Sequence, residues 1–230
     1  MKTGVMDSGL KTRIHGAAMF GFIVLGALYL GGVAFILLMG AATAIGISEW
    51  TKMIKAEEKY RLSFLFLGIC YIAASCAVMI WLRVGTAYGL YNMLTLLLIV
   101  WASDISAYFS GRAIGGPKLA PKVSPKKTWA GFIGSSVGAG LVAGGLACPA
   151  TLAKFHVETI GHFSPYTYAL MGFALAMCGQ AGDLLISFFK RRSGIKDTGT
   201  IIPGHGGVLD RIDALLLVAL IFGLIAGFAL

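Results

Sequence analysis

The amino-acid sequence predicts an all-α, polytopic integral membrane protein with about seven transmembrane helices and a cytoplasmic N-terminus. Of its 230 residues, 57% are hydrophobic and only 13% are charged, whereas soluble proteins carry about 25% charged residues. Several apolar runs approach the ~20 residues that a helix needs to cross a bilayer. These runs cover residues 14–30, 32–50, 63–82, 86–110, 129–149, 165–189 and 208–229.

The boundary between the first two runs depends on a pair of glycines. Residues 16–48 carry no charge, and Gly31-Gly32 is the turn signal inside that stretch. Two short helices separated by this pair are one interpretation. One long tilted helix is the alternative, and it would reverse the orientation of the N-terminus.

The basic residues favour seven helices. In that arrangement, seventeen of the nineteen lysines and arginines lie on one side of the membrane, and only Arg83 and Lys154 lie on the other. Because basic loops are retained in the cytoplasm, this side is predicted to be cytoplasmic. The one-helix alternative would move three basic residues of the N-terminus to the opposite side, and it fits less well.

Composition also excludes other classes of protein. The basic residues that give the net charge of +9 flank membrane spans, where they can contact anionic lipid headgroups. No nucleic-acid partner is therefore expected. The four cysteines lie in apolar runs without C-x-x-C spacing, so neither a zinc site nor a disulfide framework is indicated. We expect one membrane domain over residues 1–230, with N-terminal helices in 1–85 and the chemically informative core in 86–230.

The loop at residues 111–128 combines three prolines, three glycines and five basic residues. This composition disfavours a helix, and its uniform charge suits a loop that wraps a polyanion. Lys126 and Lys127 follow Ser124-Pro125 at the start of the next span. They could be simple membrane anchors, but their density beside a second basic loop favours contact with phosphate.

Asp183 lies inside an apolar run, where a carboxylate is costly and therefore expected to be functional. On a helix, Gln180, Asp183, Ser187 and Lys190 form one polar seam. If Lys190 marks the membrane interface, Asp183 is recessed by about 10 Å at 1.5 Å per residue. A structural hydrogen bond or ion pair between helices is the alternative role.

Asp104 is recessed by about 12 Å from Arg112 on the same arithmetic. The two aspartates therefore reach a similar depth from the same face. Facing one vestibule, they could hold a divalent metal through oxygen ligands, and magnesium is the usual ion with a nucleotide substrate. Serines or Tyr108 could instead satisfy Asp104 structurally.

The segment 187–213 has the highest density of side chains that could take part in catalysis. It contains five basic residues, three aspartates and a histidine between two apolar runs. Asp210 and Asp213 could be N-terminal carboxylates of the last helix. Glycines 204, 206 and 207 beside Asp210 would also let backbone amides bind phosphate. His205 is a candidate general base, although a role in shaping the loop or binding phosphate is at least as plausible.

These features predict phosphoryl or nucleotidyl transfer at a membrane surface. A transporter for an anionic solute is a rival, because recessed charges also mark transport pathways. The concentration of charge on one side argues against access from both faces. A related membrane enzyme, such as a polyprenol kinase, is a second rival.

Three motifs resemble the phosphatidate cytidylyltransferase (CDP-diacylglycerol synthase) family. The first is the S-x-x-K-R-x-x-G-x-K-D-x-G-x-x-x-P-G-H-G-G-x-x-D-R-x-D pattern of residues 187–213. The second is the block at 101–134, with W-x-x-D-x-x-A-Y-x-x-G and K-x-S-P-x-K-T, and the third is GDLLIS at 182–187. The similarity covers roughly residues 86–229, with a weaker match ending at Glu49-Trp50.

The resemblance implies transfer of CMP from CTP to phosphatidic acid, giving CDP-diacylglycerol and pyrophosphate. It implies magnesium as the cofactor and a site on the cytoplasmic face of a bacterial inner membrane. Two metal ions could be bound, and one of the two could be a monovalent cation. By motif position, Asp183 and Asp210 would bind the metal. A homodimer is left open. Typical bacterial members are some fifty residues longer, which implies that about two helices are missing between Trp50 and Arg61.

The resulting assignment has three parts. The predicted metal ligands are Asp183 and Asp210, and no strong general base is required because the lipid phosphate is already charged. The predicted catalytic residues are Asp183, Asp210, Lys190, Lys196 and Arg211. The predicted substrate-binding residues are Asp104, Ser124, Lys126, Lys127, Ser187, Arg191, His205, Gly206 and Gly207.

Overall fold

A computed structural model describes residues 4–55, 59–154, 164–202 and 206–229. This part of the chain folds into eight helices and one short β-hairpin. The elements are α1 (Gly4–Leu30), α2 (Gly32–Ile54), α3 (Arg61–Val84), α4 (Gly89–Ala113), β1 (Lys118–Ala120), β2 (Ser124–Thr128), α5 (Trp129–Leu146), α6 (Pro149–Lys154), α7 (Pro165–Arg192) and α8 (Leu209–Ala229).

Five of the described helices, α2, α3, α4, α5 and α7, are long and apolar enough to cross a membrane. The protein is therefore a helical, multi-pass membrane protein, as predicted. The two other predicted spans lie in α1, whose apolar part is Ala18–Leu30, and in α8, which has three charged residues in its first turns. The count of seven spans and the cytoplasmic N-terminus stay predictions.

Gly31 and Gly32 separate α1 from α2, as the two-helix interpretation predicts. Both have positive φ, 62° and 46°, a conformation that glycine adopts without the steric cost of a Cβ. Nε of Arg83, at the end of α3, donates a 2.9 Å hydrogen bond to the carbonyl of Leu28 in the last turn of α1. The single-helix alternative is therefore wrong.

Residues 111–128 contain the last turn of α4 and then an antiparallel hairpin. β1 and β2 pair Lys118 with Thr128 and Ala120 with Ser124. Only the absence of a long helix was predicted here, because proline, glycine and lysine have low strand propensity. Thr128 then caps α5, its Oγ1 accepting a hydrogen bond from the Gly131 N–H at 3.1 Å. The hairpin thus fixes the basic residues at the start of α5.

Small residues bring α5 close to both α4 and α7. A Cβ on Gly138 would collide with the Ser106 side chain of α4, and a Cβ on Gly172 of α7 would lie 2.7 Å from the Ala139 carbonyl of α5. Such contacts let helices in a membrane pack backbone to backbone. The resulting α4–α5–α7 layer, with α8 against α7, positions the polar residues described next.

Candidate active site

A cavity of about 450 Å³ opens between α4, the hairpin, α5 and α7. It brings together residues from three parts of the sequence that were predicted to be functional. Its walls carry two carboxylates and three basic side chains. The lining residues are Asp104, Ala107, Tyr108, Gly111, Arg112, Lys126, Lys127, Thr128, Gly131, Phe132, Gln180 and Asp183.

Asp183 lies on the α7 wall of this cavity. Its Oδ2 is 2.6 Å from Nζ of Lys127 on β2, and its Oδ1 accepts a 3.1 Å hydrogen bond from Ser187 one turn away. The Asp183 side chain is 31% exposed and the Lys127 side chain 18%. Of the polar seam predicted on this helix, Gln180 and Asp183 line the cavity, whereas Ser187 and Lys190 do not.

Two further carboxylates lie near Asp183. Asp104 lies on the α4 wall, and Asp213 belongs to α8. Each is close enough to Asp183 for their charges to interact. The predicted convergence of Asp104 and Asp183 on one vestibule is thus observed as a shared cavity. Asp213 also accepts a 2.8 Å hydrogen bond from the N–H of the next residue, Ala214.

Basic side chains surround these carboxylates. Lys126 is exposed at the cavity wall, and Nη1 of Arg112 donates a 2.8 Å hydrogen bond to the hydroxyl of Tyr108. Arg211 is exposed at the start of α8 and lies within electrostatic range of Asp104. With Lys127, these groups give the cavity a positive excess, which suits a substrate with several phosphates.

Asp210 lies in a second cluster at the ends of α7 and α8. Its Oδ1 forms a 2.8 Å salt bridge with Lys190, and its Oδ2 accepts hydrogen bonds from the N–H groups of Thr198 at 2.8 Å and Gly207 at 3.0 Å. The side chains of Asp210 and Lys190 are only 5% and 10% exposed. A buried ion pair therefore joins the α7 seam to the first turn of α8. Through its two N–H donors, Asp210 also contacts the segment 198–208, which we call the glycine-rich loop.

Glu49 of α2 lies beside the same loop and is only 3% exposed. Its carboxylate accepts hydrogen bonds from Oγ1 of Thr198 at 3.0 Å, from the Val208 N–H at 3.0 Å and from the Leu209 N–H at 2.8 Å. The last two donors stand at the N-terminus of α8, where the helix dipole also favours a negative charge. A residue of the N-terminal helices thus contacts the 86–230 region directly.

The other predicted residues occupy different positions. Ser124 begins β2, and Lys196 is exposed beside the glycine-rich loop. Arg191 donates to two carbonyls, Val123 at 3.2 Å and Ile195 at 3.1 Å, so it joins the hairpin to the end of α7. Gly206 has a φ of 84° and packs against Asp210. His205 lies outside the described residues.

The carboxylates retain capacity for a magnesium ion. A carboxylate offers about four acceptor sites; the bonds above use two sites on Asp183 and three on Asp210. Within the described ranges, no three His, Cys, Asp or Glu side chains form a cluster that could hold a metal ion. Magnesium commonly takes one or two carboxylates and completes its shell with water and substrate phosphates. Asp104 and Asp183 line the same cavity and could supply such ligands, whereas Asp210 does not line it and is held by Lys190 in the second cluster.

Glu49 and Arg112 were not predicted as site residues. Glu49 is the single charged residue in the run 32–50, so its position in an apolar segment was an available signal. Arg112 follows Asp104 by eight residues, which is about 12 Å along a helix. Arg112 was used only as the reference point for the depth of Asp104, although both residues line the cavity.

Comparisons with known proteins show which family the sequence resembles. Residues 57–228 match the model of the Cytidylyltransferase family. A Brucella abortus protein named phosphatidate cytidylyltransferase is 36% identical over 260 residues, covering 92% of this chain and 91% of that protein. Proteins of that name from Rickettsia bellii and Rickettsia prowazekii are each 38% identical, covering 96% and 91% of this chain and 92% and 88% of the relatives.

These matches extend over most of the sequence and include every element that lines the cavity. The predicted loss of helices between Trp50 and Arg61 stays a prediction, although the described α2 and α3 are joined by only six residues, 55–60. The match to the family model covers well over half of the chain. The chain therefore belongs to the cytidylyltransferase family and is a nucleotidyltransferase.

Proposed function

We propose that the protein transfers CMP from CTP to phosphatidic acid, giving CDP-diacylglycerol and pyrophosphate, with magnesium as cofactor. The observation that carries this proposal is the cavity in which Asp104 and Asp183 face Arg112, Lys126 and Lys127 at the end of membrane-spanning helices. The relatives named phosphatidate cytidylyltransferase support phosphatidate as the lipid substrate. The reaction belongs to phospholipid biosynthesis.

The location of the cavity suits one water-soluble and one lipid substrate. The basic hairpin stands at the polar end of α4 and α5, where CTP can arrive from water. The exposed apolar side chains of Phe109 and Ile133, on α4 and α5, face the surroundings of the helices. A lipid phosphate can therefore reach the same polar residues from the bilayer.

The chemistry requires an oxygen of the phosphatidate phosphate to attack the α-phosphorus of CTP. The new phosphorus–oxygen bond forms as the bond between the α-phosphorus and the bridging oxygen breaks, and pyrophosphate leaves with the electron pair. Phosphatidate is already an anion at neutral pH, so no side chain has to remove a proton. The protein's task is to align two negatively charged substrates and to stabilise the charge on the leaving group.

Lysines and arginines of the cavity perform this alignment. Lys127 can exchange the Asp183 carboxylate for a phosphate oxygen by rotation of its flexible stem. Lys126 and Arg112 present further donors on the same wall. Lys196 and Arg211, exposed beside the glycine-rich loop and at the start of α8, can reach a phosphate from the other side. Each contact reduces the repulsion between lipid phosphate and triphosphate.

Asp183 and Asp210 are our proposed magnesium ligands, with Asp104 and Asp213 as neighbouring carboxylates. When bound, the ion would neutralise charge on the triphosphate and the leaving pyrophosphate. The same proposal includes a second metal ion, which could be a monovalent cation, and a homodimer. We place the site on the cytoplasmic face of a bacterial inner membrane, because the basic loops lie at its end.

Incubation of the purified protein with radiolabelled CTP, phosphatidate and Mg²⁺ tests this function. The proposal predicts a cytidine-containing lipid and an equal amount of pyrophosphate, both lost when EDTA removes the metal. Diacylglycerol and lysophosphatidate serve as matched lipids that differ in the acceptor phosphate or the second acyl chain. Equal pyrophosphate release without any lipid acceptor would contradict the proposal, and so would uptake of substrate into vesicles without turnover.

A further inference from the structure

The glycine-rich loop between α7 and α8 is fastened at both of its ends. Thr198 at one end donates its N–H to Asp210 and its hydroxyl to Glu49. At the other end, the Gly207 N–H bonds to Asp210 and the Val208 N–H bonds to Glu49. Two carboxylates, one from α8 and one from α2, therefore share the donors of the same loop.

The packing around these carboxylates explains the glycines. A Cβ on Gly199 would lie 2.6 Å from Oε1 of Glu49, and a Cβ on Gly207 would lie 2.5 Å from the same atom. A Cβ on Gly206 would lie 2.7 Å from Oδ2 of Asp210. The loop is thus shaped around two acidic groups, and the absence of side chains at these positions allows its backbone amides to reach them.

Glu49 does not belong to the cavity that holds Asp183. It is buried, and it accepts hydrogen bonds from one hydroxyl and two backbone N–H groups of the loop and the first turn of α8. Hydrogen bonds to a charged acceptor are stronger than those between neutral groups. A carboxylate that is buried with three such bonds is well placed to hold the backbone that carries Asp210.

We propose that Glu49 is a positioning residue for the transfer reaction, acting through the loop on Asp210 and its partner Lys190. This inference rests on the proposed function for its kinetic part and on the structure alone for its effect on the loop. It gives the N-terminal helices a defined role, because α2 lies entirely outside the region that matches the family model. Glu49 keeps Asp210 oriented, and it does not touch the substrates.

Two variants of Glu49, one neutral and one with a shorter side chain, distinguish the effect of its charge from the effect of its packing. Glu49→Gln keeps the size of the side chain, but its NH₂ group would face N–H or O–H donors and leave at least one of them unpaired. Glu49→Asp keeps the charge with a shorter reach. Thr43→Val is a matched control on α2, because it removes a half-buried hydroxyl that donates to the Met39 carbonyl of its own helix and makes no hydrogen bond to the described residues of the loop.

Hydrogen–deuterium exchange of the full-length protein in detergent gives a test that needs no turnover. We expect amide exchange in residues 198–209 to be at least about tenfold faster in Glu49→Gln than in the wild type, with exchange in α4, α5 and α7 unchanged. Glu49→Asp should restore part of the protection. Thr43→Val should show wild-type exchange in the loop.

Steady-state kinetics provide the second measurement. Glu49→Gln should require a several-fold higher Mg²⁺ concentration for half-maximal rate as well as showing a lower kcat, whereas a smaller folded fraction would lower only the apparent kcat. Wild-type exchange in the loop together with a wild-type Mg²⁺ requirement would overturn the proposal. Faster exchange spread evenly over all helices would also overturn it, since it would show a general structural role.

If Glu49→Gln does not fold, Thr198→Val replaces it. This variant removes the 3.0 Å bond to Glu49 and keeps the Thr198 N–H bond to Asp210. It should produce the same changes to a smaller extent, and wild-type behaviour would count against the proposal. If the wild-type protein does not turn over CTP and phosphatidate, the proposed function fails, while the exchange experiment still decides the role of Glu49.

Discussion

Lys190 at the end of α7 and Asp210 in the first turn of α8 form a 2.8 Å salt bridge that is almost completely buried. The pair joins the polar seam of Asp183 to the glycine-rich loop, because Asp210 also accepts hydrogen bonds from Thr198 and Gly207. Lysine and aspartate are seldom buried unless paired. The ion pair therefore supports both the stability of this region and the geometry of the proposed site.

Replacement of Lys190 with methionine should destabilise the protein. The Asp210 carboxylate would remain buried with only its two backbone donors, and breaking one side of a buried pair costs about 3 kcal/mol. We expect a lower midpoint of thermal unfolding in detergent and a loss of transfer activity. Lys196→Met is the control for stability, because Lys196 is exposed and should change the midpoint little. An unchanged midpoint in Lys190→Met would show that the pair contributes nothing to stability.

Lys127 and Lys118 give a matched pair in one hairpin. Lys127 contacts Asp183 at 2.6 Å and lines the cavity, whereas Lys118 is exposed on β1 and is not part of the lining. We expect Lys127→Met to reduce kcat/KM by about 10²-fold, which is typical for the loss of one electrostatic donor. Lys118→Met should stay within about threefold of the wild type, because a solvated surface charge contributes little. Equal effects in both variants would argue for a non-specific role of hairpin charge.

Gly207→Ala should inactivate the protein without unfolding its helices. The new methyl group would collide with the Thr198 side chain and lie 2.5 Å from Oε1 of Glu49, so the loop would have to move. Gly145→Ala is the control, since a Cβ there meets nothing within 4 Å. Far-ultraviolet circular dichroism should be unchanged in both variants, with activity lost only in Gly207→Ala. Full activity in Gly207→Ala would show that the loop geometry is not needed.

Gly172→Ala tests the packing of α7 against α5. The added Cβ would lie 2.5 Å from the Ala143 side chain and 2.7 Å from the Ala139 carbonyl, and backbone atoms cannot yield easily. Overpacking of this kind costs about 1–3 kcal/mol. Thermal unfolding should show a lower midpoint than for the wild type. The same midpoint as in Gly145→Ala would mean that the two helices can separate without cost.

Much of the fold could be predicted from the sequence because bilayer length and charge asymmetry are strong local signals. Each predicted apolar run overlaps one long helix, although the run at 129–149 extends past the end of α5 at Leu146, and Gly31-Gly32 forms the expected break. Asp104 and Asp183 could be placed at similar depths from the rise per residue alone. Their shared cavity follows from that placement once α4 and α7 are packed against α5.

The pairings inside the site could not be predicted. Lys190 and Asp210 are 20 residues apart, and Glu49 lies 149–160 residues from its loop donors. Such contacts depend on how helices pack, and sequence periodicity does not encode that packing. The hairpin was missed for another reason: its strands contain proline and lysine, and they are held by their pairing rather than by intrinsic propensity.

The proposed cytidylyl transfer to phosphatidate depends most directly on Asp183, on the wall of the α4–α5–α7 cavity. The most direct test is the rate of CDP-diacylglycerol formation by Asp183→Asn at saturating CTP, phosphatidate and Mg²⁺, beside wild type and Lys118→Met. We expect a rate about 10²–10³-fold below that of the wild type, with the helical fold retained and with normal turnover in Lys118→Met. Wild-type turnover in Asp183→Asn would contradict this expectation.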